Sequence, residues 1–354
     1  MARRPPDTSA LRRGWTTGAC ATAATKAALT ALLDGTFPDP VSIRLPKGEE
    51  PVFALATERR GEGWCEAGIV KDAGDDPDVT HGATVRARVA LEGTGVTFHA
   101  GAGVGTVTKP GLPVAVGEAA VNPVPRRMMR EVAEALCARH GIAANVAVTL
   151  SVDDGERLAR QTWNPRLGIV GGLSILGTTG VVHPFSCAAW IHSIHRGVDV
   201  ARASGFPLVL ASTGSTSEAA ARAVHAVEDT AVIDMGDFAG GFLKYVRAHP
   251  VPNVVVAGGF AKLSKLALGA LDLHSGRSQV GLDTLARWTD APDAAKLVRR
   301  ANTAAEALAH APELASRVAR EAHRVGRDVL RDAPVRLEIM VVDRAGTVVA
   351  RHDG

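Results

Sequence analysis

The sequence predicts an α+β amino-terminal domain over residues 1–164, followed over residues 165–354 by a smaller α/β domain with a four-stranded parallel sheet, plus a C-terminal helical stretch and hairpin. Three observations carry that expectation. A chain of 354 residues, 46% of them hydrophobic, has more material than one ordinary core uses. Its first part consists mainly of short β-branched runs set off by Gly, Pro and Asp. After Asn164-Pro165 the rhythm becomes apolar strand, small-residue loop and helix, starting at Leu167, Leu208, Ala231 and Val254.

In chain order, the Ala-rich stretch from Thr17 to Leu33 reads as a close-packing helix, with Thr16 or Thr17 as cap and Asp34-Gly35 as stop. Strands follow at Val41 to Leu45, Val52 to Thr57, Ile69-Val70, Val85 to Leu91, Val96 to His99 and Asn145 to Val152. One helix interrupts them, opened by Asn122-Pro123 and closed by His140-Gly141, which is the Pro-first, Gly-last asymmetry of helices. The four βα units then imply a parallel sheet with its loops on one edge, where open α/β sheets bind ligands. Those loops are Gly177-Thr178-Thr179-Gly180, Thr213-Gly214-Ser215-Thr216, Asp234-Met235-Gly236-Asp237, and Gly258-Gly259. Past Leu282 an Ala/Arg/Glu-rich helical stretch leads to a hairpin turning at Arg344-Ala345-Gly346.

Composition excludes several classes. Forty basic and 37 acidic residues leave a net charge of +3, and aromatics are only 4%, so neither a nucleic-acid surface nor base stacking is indicated. Cys20, Cys65, Cys137 and Cys187 show no CxxC or Cys/His spacing, which fits a reduced, cytoplasmic protein. The basic start MARRPPDTSALRRGW has no apolar segment behind it, and no uninterrupted run reaches membrane-span length. The expectation is a soluble, unprocessed chain with no membrane partner.

Several motifs carry chemistry. Leu167 to Gly180, LGIVGGLSILGTTG, offers bare amides and hydroxyls before an amphipathic segment, although Gly and Thr after a strand are also ordinary connections. No GxxxxGK[ST] is present, and Gly101 to Gly105 runs into strand and turn material rather than a phosphate-receiving helix. Lys109 precedes Pro110-Gly111, a type II turn that would present it at a tight tip. Arg126 and Arg127 fall in a helix's first turn, against its dipole, where a carboxylate ligand would reverse the sign; answering Glu131 and Glu134 is the plainer role. The loop from Lys71 to Gly82 holds Asp72, Asp75, Asp76, Asp78 and His81. Asp72, Asp75 and His81 are acid–base candidates, while Asx turns would also explain such a loop. It lacks the EF-hand pattern, because Pro77 and Ala83 occupy the required Gly and Glu positions. His192 and His195 share a helix face with Asp199 and Arg202 and read as a solvated face rather than a metal site.

These motifs together resemble the cobalt-precorrin-5B (C1)-methyltransferases, the CbiD family of cobalamin biosynthesis. The resemblance spans all but about the first ten residues and rests on LRRGWTTGACATAATKAA, AGIVKDAGDDPDVTHGA, GAGVGTVTKPGLPV, AVNPVPRRMM, NPRLGIVGGLSILGTTGVVHPFS, ASTGSTSE, IDMGDFAGGFLKY and VAGGFAKLSKLALGALDLHS. It implies transfer of a methyl group from S-adenosylmethionine to carbon 1 of a cobalt-bearing, ring-contracted tetrapyrrole, giving cobalt-precorrin-6A. It also implies an α+β domain followed by a small α/β domain with four parallel strands. Such a transfer needs in-line placement about 3 Å from an electron-rich carbon rather than a protein nucleophile.

On that reading the cofactor meets Gly177, Thr178, Thr179, Gly180, Thr213, Gly214, Ser215, Gly258 and Gly259, with Asp234 or Asp237 for the ribose hydroxyls or the sulfonium, and the 177–180 loop for the amino-acid carboxylate. The macrocycle's carboxylates meet Lys71, Lys109, Arg126 and Arg127. Cobalt arrives inside the substrate, so no protein metal site is implied; hand-over from other cobalamin-pathway enzymes and a homo-oligomer are compatible with it. The acidic Gly-rich motif of common methyltransferases is absent, as is the glycine signature of other tetrapyrrole methylases. Gly281 stands where relatives carry an acidic residue. A corrinoid carrier without cofactor affinity and a nicotinamide-dependent reductase are the competing classes; the missing GxGxxG helix entry speaks against the reductase.

Overall fold

The structure is a computed structural model and describes residues 11–354. The expected features of the first ten residues lie outside the described residues. The chain forms two compact units that part between Ser186 and Cys187. The first contains, in order, β1 (Gly14–Trp15), α1 (Thr17–Asp34), β2 (Val41–Ser42), β3 (Val52–Phe53), β4 (Thr57–Gly61), β5 (Trp64–Val70), β6 (Thr84–Ala90), β7 (Val96–Ala100), β8 (Gly103–Val104), β9 (Thr106–Val107), α2 (Pro123–Arg139), β10 (Val146–Val152), α3 (Gly155–Ala159), β11 (Ile169–Val170), β12 (Gly172–Leu173) and β13 (Val181–Val182).

Its main sheet has the order β4-β5-β6-β10-β7, antiparallel except for the β10/β7 pair. The α1 helix lies against β5, β6 and α2. Its alanines permit that close approach, and the buried Thr22 and Thr25 return their hydroxyls to the Gly18 and Ala21 carbonyls at 2.8 Å. Thr16 Oγ1 accepts the Ala19 N–H at 3.2 Å, and Gly35, at φ +78°, ends the helix as the sequence indicated. The α2 helix likewise begins at Pro123.

The second unit contains α4 (Cys187–Ala203), β14 (Leu208–Ser212), α5 (Ser215–Val224), β15 (Val232–Asp234), α6 (Ala239–Ala248), β16 (Asn253–Gly259), α7 (Phe260–Ala267), α8 (Leu282–Arg287), α9 (Pro292–Arg300), α10 (Ala304–His310), α11 (Leu314–Leu330), β17 (Arg336–Val342) and β18 (Val348–His352). Its sheet has the order β15-β14-β16-β17-β18, with β18 the antiparallel edge. Val209, Val254 and Ile339 point to a large core shared with α4, α6, α7 and α11. Leu210, Val255 and Met340 point to a smaller one shared with Ala221 of α5.

Two expectations are corrected. The unit boundary is at 186/187 rather than 164/165, because residues 165–186 pair inside the first unit: β11 with β9, β12 with β8, and β13 with β1. Gly168 and Gly171, at φ +69° and +89°, break the Leu167 run into two-residue pieces that cannot form a continuous central strand. The sheet of the second unit is therefore five-stranded and mixed, not a four-stranded parallel sheet entered at Leu167. The place expected for Leu167 falls to β17, which, apart from its exposed first residue, is buried along nearly all its length on both faces, as an interior strand must be.

Candidate functional site

In the second unit, β14 is followed by a strand on one side of it and β16 by a strand on the opposite side, so the strand order reverses between them. Ligands of open α/β sheets bind at that reversal, outside the carboxyl ends of the strands. Three of the four expected loops meet there: Thr213 to Ser215 after β14, Asp234 to Asp237 after β15, and Gly258-Gly259 ending β16. The two glycines of the last loop differ in role. A Cβ on Gly258 would meet Leu263 Cγ at 2.9 Å and Thr213 Cγ2 at 3.0 Å, whereas one on Gly259 or Gly214 would stand in open space. Ser215 and Thr216 are exposed at the start of α5, whose first amides have no intrahelical acceptor.

Asp234 Oδ1 accepts the Gly236 N–H at 3.0 Å in an Asx turn, and its carbonyl accepts from Trp190 Nε1 at 3.3 Å. Asp237 is engaged differently. Lys262, in the first turn of α7, donates to the Thr213 carbonyl at 2.7 Å and sits 3.0 Å from Asp237 Oδ1. Lys265, one turn on, is buried and donates to the Leu273 carbonyl at 2.8 Å; burial pushes its ammonium pKa down. Neither lysine was singled out by sequence reasoning. The available signal was a lysine three residues beyond a glycine that ends a strand. An open cavity of about 580 Å³, bordered by Arg327, Pro334 and Arg336, lies at the amino-terminal edge of this sheet, away from these loops.

The loop Gly177 to Gly180 is elsewhere, in the first unit, and this corrects its assignment to the sheet edge. It packs on the start of α1: the Thr16 N–H donates to the Gly180 carbonyl at 2.9 Å, and the Gly18 N–H to Leu176 at 2.9 Å. Gly177 holds φ +129°, and a Cβ there would lie 2.3 Å from Thr16 Oγ1. Thr179 Oγ1 closes its own turn with Val181.

The acidic loop is a strap across the same region. Arg12 forks onto Asp72, while its backbone N–H reaches Asp75 Oδ2 at 2.6 Å. Asp72 is held down to about 2 by the Arg12 hydrogen bond first and then by the Gly74 N–H, which outweigh the opposing effect of burial, with the Arg12 charge adding to the shift. Asp76 accepts the Phe185 N–H at 2.8 Å. Asp78 accepts from Lys71 Nζ at 2.7 Å and from both the N–H and the hydroxyl of Thr80. His81 Nδ1 accepts the Ala73 N–H at 3.1 Å, which leaves the ring proton of the neutral form on Nε2, so Nε2 is a donor and not a base.

Two of the four proposed carboxylate partners are corrected. Lys71 is 1% exposed and sealed against Asp78, so a macrocycle cannot reach it. Arg126 turns back on its own chain, donating to the Val121 and Ala119 carbonyls at 2.7 and 3.0 Å and pairing with Glu118 at 2.8 Å. Its misfit with the dipole is answered by those carbonyls. Arg127 remains exposed, its nearest carboxylate Glu131 at 3.9 Å. Lys109 is half-buried, with its stem over Gly168, beside Gly111 at φ +103°. Gly281 precedes α8 as its cap residue. The His195 face of α4 is not fully solvated: His195 stacks on Tyr245 of α6 at 3.8 Å, and the Tyr245 hydroxyl donates to Asp199 at 2.7 Å. Among the described residues no three His, Cys, Asp or Glu side chains gather to hold a metal ion, and no helix is long and apolar enough to cross a membrane.

A switch-point crevice in an α/β unit, on a chain whose α+β unit packs the 177–180 and acidic loops at the start of one helix, is the arrangement in which α/β proteins generally hold small ligands. Residues 4–184 match the family model described as CbiD, and residues 272–353 match that described as CbiD, C-terminal domain. The chain belongs to the CbiD family. It is 62% identical over 351 residues to a Brucella anthropi protein named cobalt-precorrin-5B C(1)-methyltransferase, covering 96% of this chain and 95% of that one. Relatives of the same name from Brucella canis and Brucella suis are 60% identical over 360 residues, covering 99% of this chain and 98% of theirs. A crystal structure of the cobalamin biosynthesis protein cbiD from Archaeoglobus fulgidus is 28% identical, covers 71% of this chain and 77% of its own, and superposes with a TM-score of 0.40.

Proposed function

We propose that the chain is an S-adenosylmethionine-dependent C-methyltransferase that methylates carbon 1 of cobalt-precorrin-5B, giving cobalt-precorrin-6A, in the cytoplasm. The observation that carries this is the near full-length identity of about 60% to proteins of that name. The crevice between β14 and β16 suits an adenosyl ligand: Gly214 and Gly259 leave room for backbone approach, and the Asp237 carboxylate, paired with Lys262 through Oδ1, stays partly exposed beside them. When bound, S-adenosylmethionine supplies a methyl group on a sulfonium. The exposed amides at Ser215 and Thr216 take its amino-acid carboxylate in place of the 177–180 loop, and Asp237 takes the ribose diol. Cobalt travels in the substrate, and the product passes to the next corrinoid enzyme. The straps Asp72, Asp75 and His81 serve the fold of the first unit, and positioning supplies the acceleration.

The exposed Arg127, together with Lys109, meets carboxylates of the macrocycle. Arg127→Ala is expected to weaken tetrapyrrole binding roughly tenfold, the worth of one charge-assisted hydrogen bond, without changing cofactor affinity or stability. Arg126→Ala is expected instead to lower the unfolding temperature, because it removes the side-chain donor of the Val121 carbonyl, one of the two donors of the Ala119 carbonyl, and the ion pair with Glu118. Fluorescence titration and thermal unfolding separate the two; a stability loss at Arg127 would remove it from the site.

Incubating the protein with S-adenosylmethionine and cobalt-precorrin-5B is expected to add one methyl mass to the tetrapyrrole. Tetrapyrrole binding with neither cofactor binding nor mass gain would make the chain a carrier instead.

A further inference from the structure

We infer that Lys262 is a positioning residue that holds the Asp237 carboxylate for the ribose of the adenosyl cofactor, and that Asp237, not Asp234, is the ribose partner. This rests on the proposed cofactor site. Lys262 joins all three edge loops. It rises from the helix that follows β16, donates to the Thr213 carbonyl at the end of β14, and pairs with Asp237 in the loop after β15. A cation in the first turn of α7 opposes the helix dipole, so its place there is not a gift of local helix chemistry. The compensation comes from across the crevice.

The division of labour between the two carboxylate oxygens follows from burial. Asp237 Oδ1 is buried and makes no aligned hydrogen bond, so its charge is met through the ion pair with Lys262 Nζ at 3.0 Å. The Asp237 side chain is nonetheless 25% exposed, which leaves the Oδ2 side as the accessible part of the group. A carboxylate held by one oxygen and open at the other accepts a hydroxyl from solvent or from a ligand without first losing a partner. Asp234 differs in that its Oδ1 caps the Gly236 amide and so shapes the loop that carries Asp237. Lys262 also fixes the distance between the β14 and β15 loops, whereas a freely rotating Asp237 would have to be ordered at each binding event.

The test is calorimetric titration of two probes, S-adenosylhomocysteine and 5′-methylthioadenosine, the second lacking the amino-acid moiety. The wild-type chain, Lys262→Met, Lys262→Gln, Asp237→Asn, Asp234→Asn and the Lys262→Met/Asp237→Asn double variant are compared. Lys262→Met and Asp237→Asn are expected to weaken both probes by the same factor, about tenfold or more. The double variant is expected to bind no worse than Asp237→Asn alone, since the lysine acts through that carboxylate. Lys262→Gln keeps a donor for Thr213 while dropping the charge, and it too is expected to weaken both probes; unchanged affinity in a folded Gln variant would overturn the proposal. Losses confined to S-adenosylhomocysteine would assign Lys262 to the amino-acid carboxylate and overturn it, as would additive losses or a larger loss at Asp234→Asn. Wild-type chain that binds neither probe would remove the cofactor site itself, an outcome separate from wild-type binding with unaffected variants.

Discussion

Gly14→Ala is expected to destabilise the first unit by about 3 kcal/mol or more, the upper range for forced overpacking, as read from the urea midpoint. A methyl group on Gly14 would lie 2.0 Å from the Ala73 carbonyl carbon and 2.4 Å from its Cα and oxygen. Those are backbone atoms, so no rotamer change relieves the contact. Nor does the backbone have freedom to retreat. The neighbouring Trp15 N–H donates to the Asp72 carbonyl at 2.7 Å, and β1 is held from its other side by β13. The approach is close in both directions, because a Cβ on Gly74 would lie 2.1 Å from the Arg12 carbonyl oxygen. The substitution must therefore part the strand from the acidic loop and expose the start of α1. A loss below about 1 kcal/mol would show that the loop can shift without consequence and that this contact does not brace the unit.

Lys71→Met is expected to cost about 3 kcal/mol, at the low end for breaking a buried ion pair, because Asp78 keeps some access to water and both Thr80 bonds. The chain length and apolar volume are nearly conserved, so the loss reports the charge and not a cavity. Burial alone would push the Asp78 carboxyl up, but the Lys71 charge and the hydrogen bonds from Lys71 and Thr80 outweigh it and leave the pKa below its ordinary value. The sign of the linkage follows. In the unfolded chain Asp78 binds its proton near pH 3.9; in the folded chain it does so lower. Its contribution is therefore present above about pH 4 and is lost as the pH falls through the depressed folded value. Asp72, held at about 2, acts in the same direction over the same acid range, discounted for its exposure. Lys71→Met is expected to flatten the acid limb of a stability–pH curve measured from pH 6 to 2. An unchanged limb would mean that the pair is not linked to folding.

The parts of the fold legible in the sequence are those whose signals are local. Thr16 and Gly35 mark the ends of α1, and Pro123 and His140-Gly141 those of α2, because caps and stops act within one turn of the helix they bound. The β-branched runs read at Val85 to Leu91 and Asn145 to Val152 fall within a residue of two strands of the main sheet, Thr84–Ala90 and Val146–Val152. Three loops of the crevice were legible for the same reason, each lying directly after an apolar strand. Residues 165–186 were not. Two-residue strands carry no period, and their partners Gly103–Val104, Thr106–Val107 and Gly14–Trp15 lie far away along the chain.

Charged side chains show the same division. The sequence placed Lys71 and Arg126 where an anion would be welcome, but nothing local says whether the anion is a ligand or the protein's own carboxylate and carbonyls. For Lys71 the answer is Asp78, and for Arg126 it is Glu118 with the Val121 and Ala119 carbonyls. Lys262 went unnoticed for the converse reason: the groups that give it meaning, Thr213 and Asp237, belong to two other loops.

By itself, then, the order of residues determined the helices and strands with local punctuation, the location of three crevice loops and, through its motifs, the family. Only the tertiary structure decided which unit owns Gly177–Gly180, that β17 completes the parallel strands, and which basic groups face outward. The physical reason is that caps and periodicity are settled by neighbours within a few residues. Strand partnership and the burial of a charge are settled by contacts between distant segments, whose free energy exists only once the chain has folded.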